Sequence, residues 1–262
     1  TGIRWGTGAT DKVFDVRDPS DVRLVGGFDH GPKSEIAVCA DRLYAAENAF
    51  LYNYDLHDPA HPVEIGRLEL GIDDGHARSV TCAGGLVLLG TGAGVRVLAA
   101  DLAALGRLDV GNVVVDVVAG ESMAYLAAGA GAGHGLVVVD ITDPRAPRLL
   151  ASVPAGDARR VAVAGGLAYV ASGADGLWVV DLSEPSEPVA GQVLTTWAPA
   201  TAVRAAGTTA FVASATSGLV SVDVSEPAAA RTLDVAPVLG MATKLALDGD
   251  RAYVLGERSG PP

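Results

Sequence analysis

Residues Gly165 to Pro185 read GGLAYVASGADGLWVVDLSEP, and altered forms of this stretch recur five more times along the chain. Two apolar β-type runs, LAYVAS and LWVVDL, flank the turn-forming segment Gly173-Ala174-Asp175-Gly176, and a Glu-Pro turn closes the unit. That pattern is a β-hairpin with an exit. The rest of the sequence is built from copies of it, so the repeat decides the fold.

Two markers fix the period. A strand-ending Asp with a following Pro turn occurs as Asp15-Val-Arg-Asp-Pro19, Asp55-Leu-His-Asp-Pro59, Asp140-Ile-Thr-Asp-Pro144, Asp181-Leu-Ser-Glu-Pro185 and Asp223-Val-Ser-Glu-Pro227. A degenerate copy, VRVLAADL, has Ala99 in the Asp position, and the successive intervals are 40, 44, 41, 41 and 42 residues. The run before each hairpin also occurs six times, starting at Glu35, Ser79, Asp116, Arg160, Ala202 and Lys244. Each copy has room for four short strands, such as a (Arg160–Ala164), b (Leu167–Ser172), c (Leu177–Leu182) and d (around Val189–Val193).

Four strands in a period of 40 to 50 residues is the signature of a β-propeller, whose closed ring leaves few sheet edges exposed. The expectation is an all-β, six-bladed β-propeller of four-stranded blades, a single domain over residues 1–262. The ends complement one another: the last copy stops after Tyr253-Val-Leu-Gly256, while unpartnered strands lie at Lys12–Val16 and Arg23–Gly27. The N-terminal strands should complete the sixth blade and close the ring.

Composition agrees and excludes some partners. Apolar residues make up 49% of the chain, enough for a large core, and 33 glycines with few aromatics suit short strands and tight turns. A net charge of −12 argues against a nucleic-acid partner or an anionic membrane surface, which need a basic footprint. No apolar run approaches the roughly 18 to 20 residues of a membrane span, and no basic-then-apolar leader opens the sequence. Cys39 and Cys82 are too few for a disulfide framework; they read first as small buried apolar residues, with a single bridge or reactive thiols as alternatives.

The segments GLVVVDITDPRAPRLL, GLWVVDLSEPSEPV and GLVSVDVSEP resemble the LVIVD repeat, a bacterial and archaeal family of propeller repeats, most clearly from Gly135 to Pro227. The resemblance implies a propeller and a secreted or cell-surface protein, and carries almost no assigned chemistry. Repeat two departs from it at Ala99, where the strand should survive and the exit turn should differ. The repeated Asp can accept backbone hydrogens in its turn, and the Pro fixes φ there. A Ca²⁺ reading of these acids lacks a dense ligand loop.

In a propeller the d-to-a and b-to-c loops share one face around the channel, so differences between repeats on that face are the informative ones. His30 and His76 fall in d-to-a loops and His134 in a b-to-c loop, which places all three on this face; His57 and His61 belong to the opposite one. Asp29, Glu47, Asn48, Asp73, Asp74, Arg78 and Trp197 surround the first group. Imidazoles and carboxylates together suit a divalent metal or acid/base work near neutral pH, although solvated loop histidines are the plainer account.

A second constellation stands at the entrance of strand a: Glu35, Ser79, Asp116, Arg160, Ala202 and Lys244, preceded by Ser34, Arg78, Val115, Arg159, Thr201 and Thr243. Arg78, Arg159, Arg160 and Lys244 would orient a small polar or anionic ligand. The plainer account pairs Glu35 and Asp116 with these cations across the channel. Gly90–Gly94 and Gly129–Gly133 read as hairpin turns rather than phosphate loops, and Ser172 and Ser214 lack a nucleophile-elbow pattern. Tyr44, Tyr125, Tyr169, Phe211 and Tyr253 share one repeat position, where packing between blades explains them.

The reading is a recognition module that binds a small molecule, glycan or protein at its loop face and channel mouth, with no metal site and no cofactor expected. The rival is a propeller enzyme, an isomerase, cyclase, lyase or hydrolase, with His30, His76 or His134 as acid/base and Arg78 or Arg160 stabilising an anion. A third reading is a structural repeat domain tethered through Trp5 and the atypical Thr1–Thr10 segment.

Overall fold

The computed structural model describes residues 10–15, 23–29, 35–129, 135–195, 197 and 199–257. A hairpin of β1 (Thr10–Asp15) and β2 (Arg23–Asp29) comes first. Five four-stranded antiparallel sheets follow, each taking its strands in chain order. The first holds β3 (Glu35–Cys39), β4 (Arg42–Glu47), β5 (Phe50–Asp55) and β6 (Val63–Glu69), and the second β7 (Ala77–Ala83), β8 (Leu86–Thr91), β9 (Gly94–Ala99) and β10 (Ala104–Asp109). The third holds β11 (Val114–Ala119), β12 (Met123–Ala128), β13 (Leu136–Asp140) and β14 (Arg148–Val153). The fourth is β15 (Arg160–Ala164), β16 (Leu167–Ala171), β17 (Leu177–Asp181) and β18 (Val189–Leu194), within one residue of the strands expected from the sequence. The fifth is β19 (Ala200–Ala206), β20 (Thr209–Ser214), β21 (Gly218–Asp223) and β22 (Arg231–Ala236), and a last hairpin pairs β23 (Met241–Asp248) with β24 (Arg251–Glu257).

Period-2 alternation gives each strand two faces, and the apolar cores lie between successive sheets. Tyr44 of the first sheet packs with Val80 and Val87 of the second, and Tyr169 of the fourth packs with Val203 and Val212 of the fifth. The shared aromatic position is thus explained by packing, with one exception. Tyr253 is 52% exposed where Tyr169 is 1% exposed, and Ile36 on β3 is 50% exposed where its counterpart Val161 is 1%. These exceptions fall on the two sheets that lack a neighbour on one side. Among the described residues β24 pairs only with β23, and β1 only with β2, so the two hairpins stand as separate sheets rather than one four-stranded blade.

Turn chemistry follows the repeat. Asp55, Asp140, Asp181 and Asp223 each accept the backbone N–H of the residue two positions on, at 2.8 to 3.1 Å. Repeat two keeps its strand and changes its exit, as Ala99 predicts: Asp101 accepts from the Ala103 N–H, and Leu102 takes a left-handed φ of 71°. Gly176 and Gly218 open strand c with φ of 81° and 94°, and a Cβ at either would strike a strand-d carbonyl, that of Leu194 or Ala236. Only glycine fits there, hence the Gly of GLWVVD and GLVSVD.

Cys39 and Cys82 form a disulfide between the ends of β3 and β7, with Cα atoms 6.4 Å apart. Both are half-buried, so the bridge replaces the first expectation of two small core residues.

Candidate binding site at the inner strands

The inner strands β3, β15, β19 and β23 bring side chains from four repeats to one place. Arg160, at the start of β15, is the hub. Its Nη1 donates to the carbonyls of Val115 and Arg159, each at 3.1 Å, and its Nη2 donates to Glu35 Oε2 at 2.9 Å. The plainer account of the charged ring therefore holds for this pair: Glu35 and Arg160 satisfy one another. Asp116 lies beside them, its Oδ2 accepting the Val161 N–H at 2.9 Å. Burial pushes its carboxyl up, against the pull of Arg160, the Val161 N–H and Arg204.

A cavity of about 450 Å³ opens next to this cluster, lined by Glu35, Arg160, Arg204 and Lys244 and walled by Tyr253 and Leu255. Arg204 was not among the expected residues, because the sequence comparison stopped at the strand entrance. Alternation along β19 carries the signal: Arg204 lies two residues beyond Ala202 and so shares its face. A second cavity of about 430 Å³ at the mouth is lined by Arg159, Arg160, Thr201 and Thr243. Its polar groups are engaged: Arg159 holds Asp157 through Nε at 3.0 Å and Nη2 at 2.7 Å, and Thr201 Oγ1 donates to the Ala213 and Ala242 carbonyls.

The histidine-centred group does not assemble among the described residues. His30 and His134 lie outside them, as do the side chain of Asp29 and all of the Gly129–Gly133 run beyond Gly129. His76 and Arg78 are exposed, and neither side chain makes a hydrogen bond or ion pair among the described residues. Asp74 is buried and clamped by Arg96 Nε and Nη2, so it is a structural carboxylate. Glu47 closes the β4–β5 hairpin opposite Phe50, away from both cavities, and Asn48 turns the chain with φ of 48°. Trp197 is corrected from a ligand contact to a core residue: the ring packs between the fourth and fifth sheets and its Nε1 donates to Thr232 Oγ1 at 3.0 Å.

Among the described residues the histidines with carboxylate partners are those of the opposite face. His57 Nδ1 meets Asp55 Oδ1 at 2.7 Å, with Asp41 at 3.4 Å from Nε2, and its pKa rises through these acids; His61 Nδ1 meets Asp58 Oδ2 at 2.8 Å. Ser214 Oγ donates to the Trp197 carbonyl and accepts the Ser217 N–H, and Ser172 is fully buried, so neither is placed as a nucleophile. Among the described residues no group of three or more His, Cys, Asp or Glu is arranged to hold a metal, and no helix is long and apolar enough to cross a membrane.

Sheets that follow one another in chain order, pack face to face and converge at their first strands define a β-propeller module. Within it the chain carries three LVIVD repeats, matched at residues 113–154, 155–196 and 199–231. No curated protein matches the sequence. Among solved structures, the computationally designed Ika8 protein superposes with a TM-score of 0.69 at 11% identity, over 88% of this chain and 71% of its own. BamB from Moraxella catarrhalis gives 0.66 at 11% identity, over 89% and 73%. A chain of the nidogen/laminin complex gives 0.57 at 15% identity, over 83% and 84%. At such identities the likeness is one of fold.

Proposed function

We propose that the chain is a six-bladed propeller acting as a recognition module, with its binding site at the inner strands. The observation that carries this is the cavity of about 450 Å³ where Glu35, Arg160, Arg204 and Lys244 converge from four repeats in a chain of net charge −12. Its volume suits a small molecule or the tip of a glycan or peptide. Hairpin β1–β2 supplies the outer strands of the blade begun by β23–β24. The uncovered apolar residues Ile36 and Tyr253, on the faces that would meet, support this closure. The disulfide supports an oxidising compartment, in keeping with a secreted or surface protein. The enzymatic alternative has less to stand on, since His76 has no acid/base partner among the described residues.

The test is a thermal-shift panel of small molecules, glycans and peptides on the wild type and on Lys244→Glu, an exposed substitution that leaves the fold intact. At least one class should raise the melting temperature, and the shift should vanish in the variant. Silence across the panel, or shifts that ignore the substitution, would sink the reading.

A further inference from the structure

At the exit of strand c one residue directly follows the repeated Asp position: Leu56, Ala100, Ile141, Leu182 and Val224 in the first to fifth sheets. The four larger aliphatics fold back onto their own sheet. The N–H groups of Leu56, Ile141, Leu182 and Val224 donate to carbonyls of the a-to-b turn, those of Asp41, Ser122, Gly166 and Thr208, at 2.7 to 2.9 Å. Ile141, Leu182 and Val224 are thereby buried in the gap to the preceding sheet and plug it at the turn end.

Repeat two has no plug. Ala100 offers a methyl group and makes no such turn bond among the described residues, and Leu102 is buried in the core behind without lining the space left open. A cavity of about 380 Å³ therefore lies between the first two sheets, against Tyr44, Leu86, Val87 and Ala100. Its wall is pinned open, because the Ala100 carbonyl accepts from Tyr44 Oη at 2.8 Å and from Asn53 Nδ2 at 3.0 Å. Asp41, Gly84 and Gly85, exposed residues of the two a-to-b turns, also line it, so it opens to solvent at the turn end.

The Cys39–Cys82 bridge forms part of the same wall, and both cysteines keep some exposure. Cys39 shares with Ala37 the face of β3 that packs on the second sheet, while Ile36 and Val38 occupy the other face, which ring closure covers. The bridge thus lies off that seam. The lining charges, Asp41 and Arg42, are one of each sign and favour neither anion nor cation. The volume admits a small organic molecule, and disulfide exchange asks only that a thiolate reach one sulfur.

We propose that the Cys39–Cys82 bridge is a modification site for small thiols, which enter through this cavity while the protein stays folded. The incoming thiolate bonds to one Sγ as the S–S bond breaks. The other cysteine leaves as a thiolate and takes a proton from water, giving a mixed disulfide beside a free thiol with no net oxidation.

The probe is 2-mercaptoethanol, added to the native protein, quenched with acid and followed by intact mass. The mixed disulfide should form at a rate proportional to thiol concentration and unchanged by urea below the unfolding transition. Ala100→Leu restores the plug of the fourth sheet and should slow the reaction by at least about tenfold without lowering the melting temperature. Should that variant fail to fold, Ala100→Val, with the residue of the fifth sheet, takes its place. A rate that levels off with thiol concentration, or climbs with urea in step with unfolding, would show that the sulfurs are reached only through the unfolded chain and overturns the proposal. So do equal rates in the wild type and the plugged variant, and so does a bridge that stays intact until the protein melts.

Discussion

Arg160 and Glu35 lie 125 residues apart in the chain, and Arg160 Nη2 donates to Glu35 Oε2 at 2.9 Å. Both side chains are largely shielded, at 21% and 25% exposure. Arg160→Met should cost about 2–3 kcal/mol in urea unfolding, because it strands the Glu35 carboxylate and the Val115 carbonyl. Adding Glu35→Gln should restore part of that loss. Strictly additive losses in the two single variants and the double would show the pair to be uncoupled.

Asp116 carries the opposite electrostatic sign from most carboxylates of this chain. Its folded pKa is raised, so the folded state binds the proton more tightly than the unfolded chain does, and the cost of the buried charge is relieved as pH falls toward the ordinary carboxylate range. Asp116→Asn keeps an acceptor for the Val161 N–H and removes the charge. Its melting temperature should exceed that of the wild type at neutral pH, with the gap closing near pH 4. A gap that widens on acidification would contradict this.

Asp140 behaves in the usual way. The hydroxyl and N–H of Thr142, together with Arg148, hold its carboxyl down at about 2. Its contribution is complete above the ordinary value of 3.8 and is lost between there and about 2. A carboxyl-carbon NMR titration should show a midpoint well under 3.8. An ordinary midpoint would mean that the Thr142 and Arg148 contacts do not persist in solution.

Ala40 stands at a turn position that is glycine in four other repeats. Its φ is 54°, beside 59° at Gly84 and Gly165, 57° at Gly207 and 55° at Gly249. An exposed alanine gains nothing from this left-handed conformation, so Ala40→Gly should stabilise the protein by about 0.5–1 kcal/mol. A loss in chemical denaturation would show that the turn relaxes around alanine.

The Cys39–Cys82 bridge closes a loop of 43 residues between the first two sheets. Reduction should lower stability by about 2–4 kcal/mol, and Cys39→Ser/Cys82→Ser should match the reduced wild type. Identical melting with and without reductant, with free thiols detected in both samples, would show that the bridge does not form.

The fold was legible because packing repeats: strands β15 to β18 fall where the fourth copy puts them, and the altered exit after Ala99 follows from one missing carboxylate. The lining of the larger cavity was legible in part. Glu35, Arg160 and Lys244 share one register position, since a strand position repeats its direction from sheet to sheet. Arg204 was missed by attending to one position rather than to the alternation that follows it. Trp197 misled because a loop aromatic carries no periodicity to say whether it faces water or folds back. The disulfide pairs strands of different sheets, and no register within one repeat relates Cys39 to Cys82.

The chain-order meander of every sheet has a consequence for assembly. Each of the five four-stranded sheets can form from a segment already clear of the ribosome, without waiting for a distant partner, so this part of the protein can be built vectorially and wedge by wedge. The Glu35–Arg160 contact obeys a different clock. It joins the first sheet to the fourth, so it cannot form until the intervening wedges are stacked at the right pitch. A spectroscopic label on that pair would time the curvature of the stack rather than the birth of any one sheet.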